Sequence, residues 1–345
     1  MIPEFITSIL DGDEIAPQQV EDVLHEIMQG AADELQVAGF LVALASRPLE
    51  APVLAAAARA MRAHRNAVHP EVRPLVDTCG TGGDGAGSFN ISTTTALVLA
   101  AAGAAVAKHG NRGVSSKVGS ADVLEASGCE MGLTPDECCE LLDATGFAFL
   151  FAPAFHPAMR HVAPVRKRLK VRSIFNVLGP LANPALAEYQ LLGVYDPELT
   201  GVLAQALLDL GSKGAVVVHC AGLDEIGLHA VTTGHRLRNG EISEFRLDPT
   251  ELGLEQAPIS ALAGGELDDN VGHMRDALTG KPGPRTDIVA LNVAAALEVA
   301  GRVDTLAEGL SQARELLTAG AGLRVLERYA ESSTRKASER EGGAR

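Results

Sequence analysis

The chain has 345 residues, of which 46% are hydrophobic and 21% are charged, and its formal net charge is −15. A chain of this length can bury a substantial core, as one large domain or as two unequal ones. The negative charge argues against nonspecific binding of nucleic acid, which positive charge drives, and the sequence has no apolar run long enough to span a bilayer.

The sequence pattern of residues 1–70 predicts a small all-helical domain. Apolar residues recur at helical spacing in residues 20–28 and 37–44, and a third segment at 54–68 is rich in alanine and arginine. Alanine-rich faces suit close packing of helices, within the chain or against a second copy.

After His69 and Pro70 the pattern changes to alternating strands and helices. The strand candidates are residues 75–78, 104–107, 147–151, 190–195 and 215–219. The helix after Thr134 begins with a capping box that ends at Glu137. The fold class is therefore α/β, with a small helical N-terminal domain and a large α/β domain whose central, largely parallel sheet is flanked by helices.

Three signals after residue 159 complete the domain plan. Residues 160–172 carry six cations, most of which we interpret as a solvated helix face, and a segment near 160–185 is expected to return to the helical domain. Asn239-Gly240 between alternating strands predicts a hairpin. We assign residues 71–331 to the α/β catalytic domain and predict a disordered tail at 332–345, which is polar and charged.

Two glycine-rich loops, at 80–87 and 110–119, organise the large domain. No Asp or Glu occurs between Gly85 and Ala121, although Lys108, Arg112 and Lys117 do, so we expect these cations to supply mobile charge for an anion such as phosphate. Glycines let backbone N–H groups converge on such an anion, and a helix starting near residue 94, capped by Ser92 or a neighbouring threonine, would add its dipole. Two such loops suggest a ligand with two separated phosphate groups.

Two standard phosphate motifs do not account for these loops. Gly80, Gly82 and Gly85 match G-x-G-x-x-G, but a dinucleotide fold also needs an acidic residue roughly 20 positions later. None lies between Asp84 and Asp122, and a Walker A pattern is absent. Glycine-rich turns that bind no ligand remain the alternative on these residues alone.

The order of six short blocks resembles the anthranilate phosphoribosyltransferases. The blocks are G-T-G-G-D-G at 80–85, N-I-S-T at 90–93, K-H-G-N-R at 108–112, G-S-A-D-V-L at 119–124, R-S-I-F-N-V-L-G-P-L at 172–181 and G-L-D-E at 222–225. That family joins anthranilate to 5-phosphoribosyl 1-pyrophosphate in tryptophan biosynthesis. The resemblance covers nearly the whole chain and implies a nucleoside phosphorylase/phosphoribosyltransferase-like fold, a Mg²⁺ cofactor and a homodimer formed through the helical domain.

The resemblance also implies which residues contact the substrates and the metal. Phosphoribosyl pyrophosphate would contact Gly80, Gly83, Asp84, Ser88, Asn90, Ile91, Ser92, Thr93, Lys108, His109, Gly110, Asn111, Arg112, Gly113, Val114, Ser115, Ser116 and Ser120. Anthranilate would contact Gly80, Asn111 and Arg166. Mg²⁺ would be held by Ser92, Asp224 and Glu225.

Several of these roles have alternatives. Ser92 could instead cap a helix, and Asp224-Glu225 by itself resembles an ordinary polar turn. An aromatic amine is already neutral at pH 7, so for His109 we favour an orienting or packing role over that of a general base. His156 could line the anthranilate pocket or have a purely structural role.

The compartment and the competing functions complete the expectations. The five cysteines are odd in number and form no C-x-x-C pair, and the first residues lack the basic region of a signal peptide, so we expect reduced thiols in a cytoplasmic protein. The closest rival function is that of a pyrimidine nucleoside phosphorylase, but there Ser follows Lys-His, whereas Gly110 follows here. A non-catalytic relative that binds nucleic acid would need a basic groove.

Overall fold

A computed structural model describes residues 1–113 and 117–343 of the chain. Within these ranges an N-terminal helical part is followed by alternating strands and helices, so the predicted fold class is confirmed. The helices are, in chain order, α1 (Ile2–Asp11), α2 (Pro17–Met28), α3 (Glu34–Ala45), α4 (Ala51–Ala63), α5 (Ile91–Ala101), α6 (Ser120–Ala126), α7 (Pro135–Thr145), α8 (Ala152–Phe155), α9 (Ala163–Leu169), α10 (Phe175–Leu181), α11 (Leu199–Asp209), α12 (Leu267–Leu278), α13 (Pro284–Val299), α14 (Leu306–Thr318) and α15 (Ala321–Gly343).

A single sheet of parallel strands with an antiparallel hairpin at one edge forms the centre of the large domain. The strands are β1 (Leu75–Asp77), β2 (Ala105–Gly110), β3 (Phe147–Phe151), β4 (Tyr189–Gly193), β5 (Gly214–His219), β6 (Thr232–Arg238) and β7 (Glu241–Leu247). In the described residues their order is β3-β2-β1-β4-β5-β6-β7. The chain leaves β1 for β2 on one side and later returns as β4 on the other, which makes the β1–β4 boundary a topological switch point where ligands bind.

Helices cover both faces of the sheet, which explains why its strands are continuous apolar runs. All six residues of β5 are buried. Val216 and Val218 belong to a core cluster that includes α13, whereas Ala215 and Val217 belong to a second cluster that includes α11. Alternate residues of one strand thus enter two different cores.

The second cluster also contains the N-terminal helices. Buried residues of α1 to α4 share it with Val162 and Val165, and with Phe175 and Leu178 of α10. The segment between β3 and β4 therefore packs into the same core as the helical part.

The predicted disordered tail is wrong for residues 332–343, because α15 continues to Gly343. Tertiary contacts stabilise this polar stretch: Ser333 is fully buried and its Oγ accepts from the Glu130 N–H at 3.1 Å, while Arg340 Nη1 donates to Gly132 O at 2.8 Å. Residues 344–345 lie outside the described ranges. No helix within those ranges has both the length and the apolar character that crossing a membrane requires.

Two element boundaries near the glycine loops differ from the sequence prediction. Helix α5 begins at Ile91 after Asn90, so Ser92 lies inside its first turn and is not its N-cap. Strand β2 extends to Gly110, because its pairing with β3 continues through Lys108 and His109.

Candidate active site at the carboxyl ends of the strands

The first glycine loop curls over the ends of β4 and β5. Thr81 N–H donates to Gly193 O at 2.9 Å, and Gly82 N–H donates to Asp224 Oδ2 at 2.8 Å. Gly82 and Gly83 have φ values of +63° and +79°, a region where a side chain would be strained. The end of β4 lies so close to the turn after β5 that a Cβ on Gly193 would be 1.4 Å from Asp224 O. The loop and the turn after β5 therefore form one unit.

Carboxylates converge on that turn. Asp224 N–H donates to Asp84 Oδ2 at 3.2 Å, and the Ser92 N–H hydrogen bonds to Glu225. Burial and the neighbouring Asp84 raise the pKa of Asp224 to about 7, while burial and Asp224 raise the pKa of Glu225 well above its usual range. Carboxylates that repel one another in this way favour the binding of a cation.

The donor set fits a hard divalent cation such as Mg²⁺. Mg²⁺ takes one or two carboxylates and completes its shell with water and phosphate oxygens. Within residues 1–113 and 117–343, no group of three or more His, Cys, Asp or Glu side chains could hold a metal by itself. Asp224, Glu225 and the Ser92 hydroxyl would thus hold Mg²⁺ only together with ligand oxygens.

Lys108 is fixed in the interior, so the expectation that it supplies mobile charge is wrong. Its side chain is buried, and Nζ donates to Thr78 O, Thr78 Oγ1 and Ser92 Oγ at 3.1, 3.2 and 3.2 Å. Its charge also opposes the rise in the pKa of Glu225. Lys108 is therefore a fixed positive charge beside the acidic turn.

A buried polar network around Asp77 holds the end of β2 in place. Asp77 accepts from the His109 N–H at 3.2 Å and from Asn183 Nδ2 at 2.7 Å, and Asn183 Nδ2 also donates to Ala107 O at 2.8 Å. Burial raises the pKa of Asp77 to about 6. Sequence reasoning missed both side chains, although an acidic residue at the end of an apolar strand was a usable signal for Asp77.

His109 is a neutral histidine with one free nitrogen. Its Nδ1 lies 2.9 Å from Gly179 O, and since a carbonyl only accepts, Nδ1 carries the proton. In the described part of the chain, Nε2 is buried without a partner. Burial and the neighbouring His156, whose ring centroid is 5.1 Å away, lower the pKa of His109 to about 3. Burial likewise lowers the pKa of His156 to about 4.

The cations of the second loop are paired with carboxylates of this chain and are not free. Arg112 contacts Asp122 at 3.1 Å and Glu125 at 2.6 Å, and Lys117 pairs with Glu266. A phosphate would have to share or replace these partners. The predicted contacts Val114, Ser115 and Ser116 lie outside the described residues.

Side chains at the start of α5 contact the second glycine loop and the start of α6. Thr93 Oγ1 donates to Ser120 Oγ at 2.9 Å, and Asn90 Nδ2 donates to Val118 O at 3.4 Å. The remaining predicted substrate contacts lie on or next to the two glycine loops. They are Gly80 beside Asp224, Ser88 paired with Ala263, Ile91 buried in α5, Gly110 at the end of β2, Asn111 hydrogen-bonded to Ala121, and Gly113 hydrogen-bonded to Asp122.

Arg166 differs from the other cations of its segment. It is half-buried on α9 with its guanidinium carbon 5.5 Å from the centroid of the Phe175 ring, and burial lowers its pKa. Among the described residues no carboxylate forms a salt bridge with it. The exposed cations of the segment are Arg160, Lys167, Arg168, Lys170 and Arg172. Arg166 is therefore the cation suited to bind a ligand's carboxylate.

Comparison with known proteins agrees with this geometry. Residues 72–323 match the model described as "Glycosyl transferase family, a/b domain", and residues 3–65 match "Glycosyl transferase family, helical bundle domain". The chain is 47% identical over 331 residues to the anthranilate phosphoribosyltransferase of Symbiobacterium thermophilum, an alignment that covers 96% of this chain and 97% of that one.

Solved structures give the same result. The crystal structure of anthranilate phosphoribosyltransferase from Thermus thermophilus has a TM-score of 0.90 and 43% identity, covering 96% of this chain and 99% of that one. The Saccharomyces cerevisiae enzyme in complex with PRPP and Mg has a TM-score of 0.88 and 29% identity, covering 97% and 98%. The chain therefore belongs to the anthranilate phosphoribosyltransferases of the glycosyl transferase family.

Proposed function

We propose that this chain transfers the phosphoribosyl group of 5-phosphoribosyl 1-pyrophosphate to the amine of anthranilate, giving N-(5-phosphoribosyl)anthranilate and pyrophosphate in tryptophan biosynthesis. The observation that carries the proposal is the hydrogen bond from Gly82 N–H to Asp224 Oδ2, at 2.8 Å. It puts a phosphate-binding loop beside a cation site, as departure of pyrophosphate requires. The relatives' names and the yeast complex with PRPP and Mg support the same reaction.

The two glycine loops and the N-terminus of α5 bind the phosphate groups. Glycine amides and a helix N-terminus are favourable surroundings for anions. The hydrogen bonds from Thr93 to Ser120 and from Asn90 to Val118 hold the start of α5 against the second loop and the start of α6. Two such anion-binding loops suit a sugar with a phosphate at one end and a pyrophosphate at the other.

Arg166 binds the carboxylate of anthranilate, with Gly80 and Asn111 as further contacts. A guanidinium donates two parallel hydrogen bonds to a carboxylate, and its strength increases when both groups are partly removed from water. The half-buried position of Arg166, and its lack of a salt-bridge partner among the described residues, support this role.

In the reaction the bond from C1 to pyrophosphate breaks, the bond from C1 to the amine nitrogen forms, and the amine gives one proton to solvent water or to the departing pyrophosphate. Negative charge grows on the departing pyrophosphate. Mg²⁺ held by Asp224, Glu225 and Ser92 offsets that charge as a Lewis acid when bound. The loop amides and the fixed charge of Lys108 stabilise the same charge.

His109 orients the amine. Its Nδ1 proton is committed to Gly179 O, so the free Nε2 lone pair can only accept a hydrogen bond. A pKa of about 3 makes the ring a weak base at neutral pH. The role that its geometry supports is acceptance of a hydrogen bond from the anthranilate amine, which points the nitrogen lone pair at C1.

We also infer a homodimer formed through a helical domain of residues 1–70 and the segment near 160–185. Apolar side chains on its surface support this: Leu10 of α1 is 74% exposed, and Leu35 and Val42 of α3 are 83% and 50% exposed. Light scattering should give twice 35.8 kDa, and a monomer at micromolar concentration would exclude the dimer. Five free thiols support a cytoplasmic location.

Product identification tests the reaction itself. Anthranilate and 5-phosphoribosyl 1-pyrophosphate, incubated with the protein and Mg²⁺, should give phosphoribosylanthranilate by mass spectrometry and an equal amount of pyrophosphate. Absence of both products would refute the proposal. Phosphorolysis of a pyrimidine nucleoside in the same preparation would identify the rival activity.

A further inference from the structure

Arg172 connects the segment that carries Arg166 to the first glycine loop. It lies in the turn between α9 and α10. Its Nη2 donates to Gly83 O at 2.9 Å, and its guanidinium carbon lies 3.9 Å from the centroid of the Tyr195 ring. A planar guanidinium that stacks on a ring while donating a hydrogen bond has a defined direction, which an ammonium group cannot reproduce.

The ring that supports Arg172 is itself attached to the glycine loop. Tyr195 N–H donates to Thr81 Oγ1 at 3.1 Å, and Thr81 N–H donates to Gly193 O at 2.9 Å. Arg172 and Tyr195 thus hold the loop at Gly83 and at Thr81. Because a glycine-rich backbone has little conformational preference of its own, contacts of this kind decide the shape of the loop.

We propose that Arg172 is a positioning residue that couples the two substrate sites. The inference rests on the proposed function. Anthranilate bound to Arg166 would order the turn after α9, Arg172 would transmit that order to Gly83, and Gly82 would transmit it to Asp224. Since coupling between ligands is reciprocal, each substrate should raise the enzyme's affinity for the other by the same factor.

The coupling predicts a specific kinetic pattern for Arg172→Ala. The KM for 5-phosphoribosyl 1-pyrophosphate should rise roughly 5-fold, as expected for one lost hydrogen bond and one lost cation–π contact, with a smaller change in kcat. In the wild type the KM for each substrate should fall as the other substrate is raised, and this dependence should weaken in the variant. Arg172→Lys keeps the charge without the stacked plane, so it should rescue only part of the effect.

Arg168→Ala is the matched control. Arg168 belongs to the same basic segment, but it is exposed and pairs with Glu34 of α3 at 2.5 Å, away from the glycine loop. Its removal should leave both KM values within about 2-fold of wild type, because exposed ion pairs contribute little. A loss of charge from the segment is thereby separated from a loss of the contact with Gly83.

Hydrogen exchange tests the contact without catalysis. In the substrate-free protein, the amides of residues 80–87 should exchange several-fold faster in Arg172→Ala than in wild type or Arg168→Ala, at an unchanged melting temperature. Unchanged exchange and an unchanged KM in an active enzyme would overturn the role of Arg172 alone. A wild-type protein that does not consume anthranilate would instead overturn the proposed function, and with it the coupling.

Discussion

Replacing Arg166 with alanine tests the anthranilate contact. Arg166 is half-buried, its guanidinium carbon lies 5.5 Å from the Phe175 ring centroid, and no carboxylate pairs with it within the described residues. The described residues therefore supply no carboxylate to neutralise the Arg166 guanidinium. If anthranilate supplies the partner, alanine removes both hydrogen bonds to the substrate carboxylate at once.

The expected loss follows from the type of contact. A hydrogen bond between charged groups contributes about 1.5–3 kcal/mol, and partial burial of Arg166 sets the pair toward the upper part of that range. A loss of about 3 kcal/mol corresponds to roughly 100-fold in kcat/KM for anthranilate. Arg166→Lys retains the charge without the fork, so we expect a smaller loss, on the order of 10-fold.

Steady-state rates with each substrate varied in turn provide the assay. The value of kcat/KM for 5-phosphoribosyl 1-pyrophosphate, measured at saturating anthranilate, should change far less than that for anthranilate. Arg168→Ala, in which an exposed cation is removed, serves as the control. Equal losses for both substrates in Arg166→Ala would refute the reasoning, because they would indicate a general disturbance of the site.

Three further predictions concern the metal, pH and the core. Asp224→Asn combined with Glu225→Gln should reduce the rate at least about 100-fold and abolish its dependence on Mg²⁺. The melting temperature should not fall, because the double change also removes the repulsion between the two carboxylates. Normal activity would exclude this pair as the metal ligands. At one pH unit below 6.5, His109 and His156, with pKa values of about 3 and about 4, should each lower the folding stability by about 1.4 kcal/mol, because the unfolded chain then binds protons that the buried rings do not. The raised pKa values of Asp77, Asp224 and Glu225 act in the opposite direction over the same pH range, so the quantity to measure is the difference in unfolding free energy between the wild type and a variant with both histidines replaced by asparagine. Between pH 7.5 and 5.5 the wild type should lose about 3 kcal/mol relative to the variant, and a difference that does not change with pH would contradict the neutral, buried state of the two rings. Tyr329→Phe should cost about 1–3 kcal/mol in denaturant unfolding, because the Tyr329 hydroxyl accepts from the buried Phe149 N–H at 3.1 Å, and an unchanged midpoint would contradict this.

Features that depend on local pattern could be predicted from the sequence. The strands were found because a parallel sheet covered on both faces needs continuous apolar runs such as β5. The hairpin between β6 and β7 followed from Asn239-Gly240, and the N-terminus of α7 from its capping box. The glycine loops were identified by composition and charge, although the contact of the first loop with Asp224 joins residues 142 positions apart and is not visible in any local pattern.

Features that depend on tertiary partners could not be predicted in this way. Lys108 was expected to supply mobile charge to an anion, whereas Thr78 and Ser92 fix it in the interior. The structural role of Asp77 and Asn183 depends on the hydrogen bond between the Asn183 amide and the Asp77 carboxylate, which the sequence pattern does not reveal. The polar residues after 331 form a helix because Ser333 and Arg340 find partners elsewhere in the chain.

Loss of anthranilate fluorescence on addition of 5-phosphoribosyl 1-pyrophosphate tests the central claim most directly. We expect the wild-type protein to extinguish the fluorescence with Mg²⁺ present and EDTA to stop the loss. Fluorescence that persists with Mg²⁺, together with phosphorolysis of thymidine or uridine when phosphate is supplied, would contradict the claim and assign the site to the rival reaction. Loss of fluorescence that continues unchanged in EDTA would contradict the role given to Asp224 and Glu225.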